Sequence, residues 1–358
     1  MDIKKHQYDG IQALRFIAAL LVVITHSTFY AAERLGTHNQ IWNNGASGVD
    51  IFFVISGFVM VISSRNLIGI PQGWAKFAIQ RLTRITPLYW LATSIKVIVM
   101  LFSAEMVVHS TLNIGNIVNS YFFIPYKKSA DLIEPLLGVG WTLTFEMFFY
   151  LVFTFALLIR INIYIFVGIL MGLISVLSLF RPENFPVWMF LFNSIVLEFW
   201  LGMIIGYFAL NNKLISPALA MIFSIVCLLW IVFKPSFHLP RLIVSGIPSA
   251  ILVFSMVSIE PYIQNRIPRI ILFFGAASYS LYLFHPLIAP VVPVLLNKIH
   301  APILNLSIGV SILVALAASA IVYRYIELSI IHAVKRLPLI ARYTHKPIIE
   351  VEPSVTNL

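Results

Sequence analysis

Charge is scarce in this chain. Only 11 % of its residues are Asp, Glu, Lys or Arg, against roughly a quarter in soluble domains. Cysteine is nearly absent, with Cys227 alone inside the apolar run IFSIVCLLWIV. One cysteine excludes an intrachain disulfide and a thiolate metal cluster, and in such a run it reads as a small hydrophobe. Acid is the scarcer sign: 14 Asp and Glu against 24 Lys and Arg, a net charge of +10. No RNA- or DNA-binding motif accompanies that excess, so nucleic acid is not expected as a partner. The basic residues instead set topology and meet anionic lipid headgroups. Internal repeats, low-complexity tracts and the internal duplication of many transporters are missing. No two or three metal-ligating side chains share a recognisable spacing, so no metal is expected.

What is present is apolar length. The 358 residues are 60 % hydrophobic with a mean hydropathy of +0.93, the signature of a polytopic, all-α membrane bundle. A helix needs about 20 apolar residues to span a bilayer. Ten stretches qualify as expected spans: 11–32, 47–63, 85–104, 139–159, 161–180, 187–209, 215–233, 242–259, 271–296 and 303–325. The second is short and flanked by Gly, and the ninth is interrupted at His285-Pro286 and by later prolines. The first follows MDIKKHQYDG like a signal peptide, but it is nearly a full span and no small-x-small cleavage site follows, so it reads as a retained helix. An even count puts both termini on one side. Fifteen of the 24 Lys and Arg then fall with the termini and seven opposite, which places both ends in the cytoplasm. The expected domains are a membrane unit over 8–330 and a cytoplasmic tail over 331–358, partly disordered. The longest outer loop is about 105–138, with Lys127, Lys128, Asp131 and Glu134.

Ionisable groups inside a span are costly, and each is a functional candidate. They are Arg15, His26, Asp50, Lys96, Glu146, Glu198 and His285. Arg15 and His26 bracket RFIAALLVVITH; eleven helical steps put both on one face, roughly 16 Å apart along the axis. Under the topology above, His26, His285, Asp50 and Glu146 fall in the outer half. Arg15 lies near the inner edge, and Arg81 and Arg84 lie just inside the third span. The inner layer thus offers guanidiniums, which match phosphates through forked hydrogen bonds. The outer layer offers His and carboxylates, the groups of proton transfer. Plainer readings stand beside these. Arg81 and Arg84 could anchor a helix at the membrane surface, Arg15 could snorkel, and Asp50 could cap its helix. His26 could be a core histidine, and His285 could satisfy the backbone broken by Pro286. Lys96 and Glu198 are expected to pair near the midplane as a structural bridge.

The ordered set Arg15-x10-His26, GVDIFFVISGF (48–58), Arg81-x2-Arg84 with Pro87 and Tyr89, GWTLTFEMFFY (140–150) and SYSLYLFHPL (278–287) resembles the acyltransferase-3 family of membrane O-acyltransferases. The resemblance covers about residues 8–330. It implies a ten-helix enzyme of the bacterial inner membrane that draws an acyl group, most often acetyl, from cytoplasmic acyl-CoA (acetyl-CoA) as donor. The acceptor is a hydroxyl of a cell-surface or lipid-linked polysaccharide. It implies that His26 is central to catalysis, with Arg15, Arg81 and Arg84 also needed; the arginines are expected to hold the donor, and His26 to act as general base or to carry the acyl group briefly. Some relatives carry a fused extracytoplasmic esterase-like domain; none is expected here, and the sequence looks more like the stand-alone, exopolysaccharide-linked members. On this reading Glu146 or Asp50 orients the His26 ring, with His285, Tyr89 and Trp141 as further candidates. No bound cofactor is implied, and oligomeric state is open. The alternative class is a transporter or flippase of a lipid-linked glycan or proton-coupled solute, since intramembrane His, Asp and Glu also suit a proton relay. A transporter leaves its substrate chemically unchanged.

Overall fold

The computed structural model describes residues 8–37, 41–102, 113–128, 133–235, 239–299, 303–338, 340 and 343. Asp131 and the tail from residue 344 lie outside the described residues. The chain runs through α1 (Asp9–Leu35), α2 (Gly48–Ser64), α3 (Gly73–Phe102), α4 (Ile114–Tyr121), α5 (Gly140–Leu158), α6 (Ile163–Ser178) and α7 (Val196–Leu210). It continues with α8 (Pro217–Phe233), α9 (Ile247–Ile263), α10 (Arg269–Ala276), α11 (Ser278–Ile288), α12 (Val291–Lys298), α13 (Leu304–Ile321) and α14 (Leu328–Arg336).

Among the described residues, eight helical segments are long and apolar enough to cross a membrane. The fifth and seventh expected spans are the apolar helices α6 and α8, of 16 and 17 residues, shorter than the roughly 20 residues of a full crossing. The helices also differ from expectation at three places. α3 begins at Gly73, so Arg81 and Arg84 lie well inside a 30-residue helix rather than at its edge. The ninth span breaks at Ala277 and, at the later prolines, after Ile288 rather than at His285-Pro286. Pro286 sits inside α11, which ends just before Pro290, the position where a second proline cannot continue the ladder. The last span continues through a π-helical turn, Val322–Glu327, into α14 and so runs past residue 330. π-turns recur at functional sites, and this one buries Glu327.

α1 is the central element, packed on α2, α9, α10, α11 and α13. Its alanines make this possible: Ala18, Ala19, Ala31 and Ala32 are fully buried, as small residues are where membrane helices approach closely. The first turn of α1 has N–H groups without intrahelical partners. Glu260 of α9 takes two of them, with Oε1 2.6 Å from Asp9 N and Oε2 2.9 Å from Gly10 N. Asp9 in turn accepts the Asn265 N–H at 2.8 Å. This anion at a helix N-terminus fixes the height of α1, and with it the heights of Arg15 and His26.

α2 crosses α7 backbone to backbone. A Cβ built on Gly57 would lie 1.9 Å from the Phe199 carbonyl oxygen, and one on Gly202 would lie 2.0 Å from that of Val54. Only glycine permits that approach. Gly202→Ala is therefore expected to destabilise the detergent-solubilised protein by about 1–3 kcal/mol. A thermal melt checks this, and an unchanged midpoint would contradict the assigned crossing.

Candidate active site

The bundle encloses a cavity of about 110 Å³ between α1, α2, α3, α5 and α11. At one end stand Gln12, Arg15, Arg81 and Arg84; along the wall lie Ser56, Glu146 and Tyr150; toward the other end come Val49, Phe53, Thr142 and Tyr282. The three guanidiniums picked out in the sequence are thus brought together. Arg15 donates to Gln12 Oε1 at 2.9 Å. Arg81 is buried, donates to Ser63 Oγ and lies over the Phe77 ring at 5.5 Å. Arg84 is exposed. Arg15 and Arg84 repel each other. Their counter-charge includes Glu327, which accepts from Ser280 Oγ at 2.5 Å.

Glu146 accepts from Ser56 Oγ at 3.1 Å and from Tyr150 Oη at 2.5 Å, both on Oε1. It belongs to the cavity wall beside the arginines. Asp50 is held elsewhere: Arg241 Nε reaches its Oδ1 at 2.9 Å and Nη2 its Oδ2 at 2.8 Å. The same guanidinium sits over the Trp141 ring at 5.9 Å. Lys234 joins this end through Ser47 Oγ at 2.6 Å and Ser245 Oγ. Burial holds its ammonium below the usual lysine range, Asp50 opposing and Arg241 adding to that shift. The expectation that Asp50 or Glu146 orients His26 is corrected here: among the described residues, neither carboxylate hydrogen-bonds that ring. Asp50 has a forked cationic partner, and Glu146 lies on the cavity wall with two hydroxyl donors.

His26 does not line the cavity. Its Nδ1 is 3.0 Å from the Val22 carbonyl, and its ring centroid is 4.9 Å from that of His285. His285 repeats the arrangement, with Nδ1 3.1 Å from the Leu281 carbonyl. A carbonyl only accepts, so each neutral ring carries its hydrogen on Nδ1 and presents Nε2 as the basic nitrogen. Tyr282 joins the two regions. It lines the cavity, shares a hydroxyl hydrogen bond with Thr142 at 2.9 Å, and its ring lies 6.0 Å from His285. Tyr89 points away from the cavity, buried and stacked on Phe123 at 4.6 Å.

The Lys96–Glu198 bridge is also corrected. Glu198 stands beside Asp50 and Arg241, whereas the charges near Lys96 are Lys128 and Glu134. The cause is packing: α7 lies along α2, and α3 lies along α5. Sequence reasoning missed four residues. Glu327 falls two positions beyond the expected end of the last span, and Glu260 one beyond the end of the eighth. Arg241 was assigned to a loop, and only its spacing to Trp141 in three dimensions marks it. Gln12 carries no charge and gave no signal.

The Asp50–Arg241 pair generates a stability prediction. Arg241 is 39 % exposed at its side chain and Asp50 fully buried, so solvent screens part of the attraction. A double-mutant cycle with Asp50→Asn and Arg241→Gln is expected to give a coupling of about 0.5–3 kcal/mol in chemical denaturation. Additive effects would contradict the pairing.

The family profile described as "Acyltransferase domain" matches residues 8–324. Over 269 residues the chain is 34 % identical to the exopolysaccharide production protein ExoZ of Rhizobium meliloti, covering 72 % of this chain and 80 % of that one. It is 24 % identical over 363 residues to YrhL of Bacillus subtilis, proposed to be a peptidoglycan O-acetyltransferase, covering 90 % of this chain but 55 % of YrhL. Acyltransferase MdmB of Streptomyces mycarofaciens is 29 % identical over 153 residues, 40 % of this chain and 38 % of that protein. No solved structure matches.

Proposed function

The chain belongs to the acyltransferase-3 family of integral membrane acyltransferases, and from that premise we propose that it moves an acetyl group from cytoplasmic acetyl-CoA to a hydroxyl of a surface or lipid-linked polysaccharide. The observation that carries this reading is the convergence of Arg15, Arg81 and Arg84 on the wall of one cavity. Forked N–H groups suit phosphate oxygens, and three guanidiniums together match a polyphosphate. In this reading the arginine end faces the cytoplasm, both termini lie there, and α6 and α8 complete ten crossings of a bacterial inner membrane. Arg81 and Arg84 hold the donor phosphates, and Arg15 holds the pantetheine side.

The thioester then lies along Glu146 and Tyr150 and points at Tyr282. The sugar hydroxyl comes from the Asp50–Arg241–Trp141 end. His26 Nε2 takes the hydroxyl proton as the sugar oxygen attacks the thioester carbonyl carbon. The C–O bond forms, the C–S bond breaks, and the thiolate of CoA takes the proton from His26. An imidazole can accept a proton and give it back at the same nitrogen, which suits that double role. The relative named for exopolysaccharide production supports a polysaccharide acceptor, and the one proposed to O-acetylate peptidoglycan supports acetyl.

Two outcomes test this. In cells lacking the gene, radiolabelled acetate should return to surface glycans with the wild-type gene, be released by mild alkali, and fall by about 10³-fold with His26→Ala. Equal label in all strains would overturn O-acetyl transfer; unchanged surface chemistry with altered glycan export would favour a transporter. Arg81→Ala should raise the KM for acetyl-CoA by about 10–100-fold, the worth of a charged hydrogen bond. An unchanged donor KM would remove Arg81 from the donor site.

A further inference from the structure

The mechanism above leaves one group unused. His285 is 1 % exposed, and its Nε2 is buried with no hydrogen-bond partner among the described residues. Leaving a buried ring nitrogen unpaired costs about 1–3 kcal/mol, so its placement needs a reason. The neighbour that supplies one is His26, with ring centroids 4.9 Å apart and planes inclined by 54°.

Both rings tie Nδ1 to the carbonyl four residues back, at 3.0 and 3.1 Å. In the resting state each therefore offers a bare Nε2, and two bare nitrogens have no hydrogen to share. Protonation of His26 changes that. Its Nε2–H is then a donor, and the Nε2 of His285 is an acceptor already fixed in place. Two imidazoles joined by an N–H···N bond of about 3 Å have ring centres about this far apart.

The geometry points to His285 as a positioning residue: its Nε2 accepts a hydrogen bond from the His26 imidazolium. It steadies the proton between its removal from the sugar hydroxyl and its delivery to the leaving thiolate. No proton is lost or gained in the exchange. Sugar oxygen gives it to His26 Nε2, that N–H leans on His285, and the CoA sulfur takes it. The inference rests on His26 as the base of the proposed transfer. Its logic is that the contact exists only once charge develops on His26, so it lowers the barrier without tightening the ground state. In serine proteases a carboxylate steadies the catalytic imidazolium. Here a neutral ring does so, and a neutral group avoids the desolvation that a buried carboxylate would bring.

His285→Asn and His285→Gln separate this role from a structural one. Asn retains a polar group near the Nδ1 position but has no acceptor at the Nε2 position; Gln carries a carbonyl oxygen there. In steady-state kinetics with acetyl-CoA and the glycan acceptor, H285N is expected to lower kcat by about 10²-fold with both KM values within about threefold. H285Q should retain kcat within about tenfold of wild type. Comparable melting midpoints for the two variants confirm that folding is not the variable. Wild-type kcat in H285N, equal losses in the two variants, or a change confined to KM would overturn the inference. Wild-type protein that transfers no acetyl would overturn the underlying reading of the function instead.

Discussion

Hydrocarbon offers no hydrogen-bond partner, and the rest of this structure follows from that. Every backbone N–H and C=O at membrane depth has to be satisfied within the protein, which leaves helices as the available element. Each ionisable side chain has to face inward to another polar group. Several groups follow this rule: Glu260 closes the start of α1, Arg241 forks onto Asp50, and Tyr150 and Ser56 cover Glu146. The histidines satisfy Nδ1 on their own helices. Against that background an excess of like charge is conspicuous. Arg15, Arg81 and Arg84 share one cavity end, and an anionic ligand is the simplest complement.

The polar groups consequently fall into separate clusters. Guanidiniums gather on the wall of the cavity, and the Asp50–Arg241 pair with Trp141 lies outside its lining. Tyr282 stands at the junction, touching the cavity, Thr142 and His285. In the proposed transfer, an anionic donor and a sugar acceptor approach a common histidine from opposite faces without crossing paths. α1 links the ends, because one unbroken helix carries both Arg15 and His26, and its height is set by the glutamate that caps it from α9.

Much of this was legible in the sequence because hydropathy and helical geometry are local. Apolar length located the helices, and the eleven-residue interval placed Arg15 and His26 on one face. Arg81 and Arg84, placed by the sequence near the inner entrance to the third span, both line the cavity. What failed was pairing, which depends on helix neighbours that spacing does not encode. Asp50 and Glu146 were assigned to His26, and Lys96 to Glu198, because all lay at similar estimated depths. The close crossing of α2 on α7 through Gly57 and Gly202 separates those partners and gives Asp50 to Arg241. Glu327 was overlooked for a related reason: a π-helical turn carries the final helix beyond its apolar run and returns a carboxylate to the bundle.

The central claim is that the arginine end of the cavity receives acyl-CoA from the cytoplasm. Sealed membrane vesicles of opposite orientation test it most directly, with labelled acetyl-CoA added only outside and glycan-bound label counted. The account predicts incorporation by inside-out vesicles and none above background by right-side-out vesicles, which acetyl-CoA does not enter. Incorporation by right-side-out vesicles alone would contradict it.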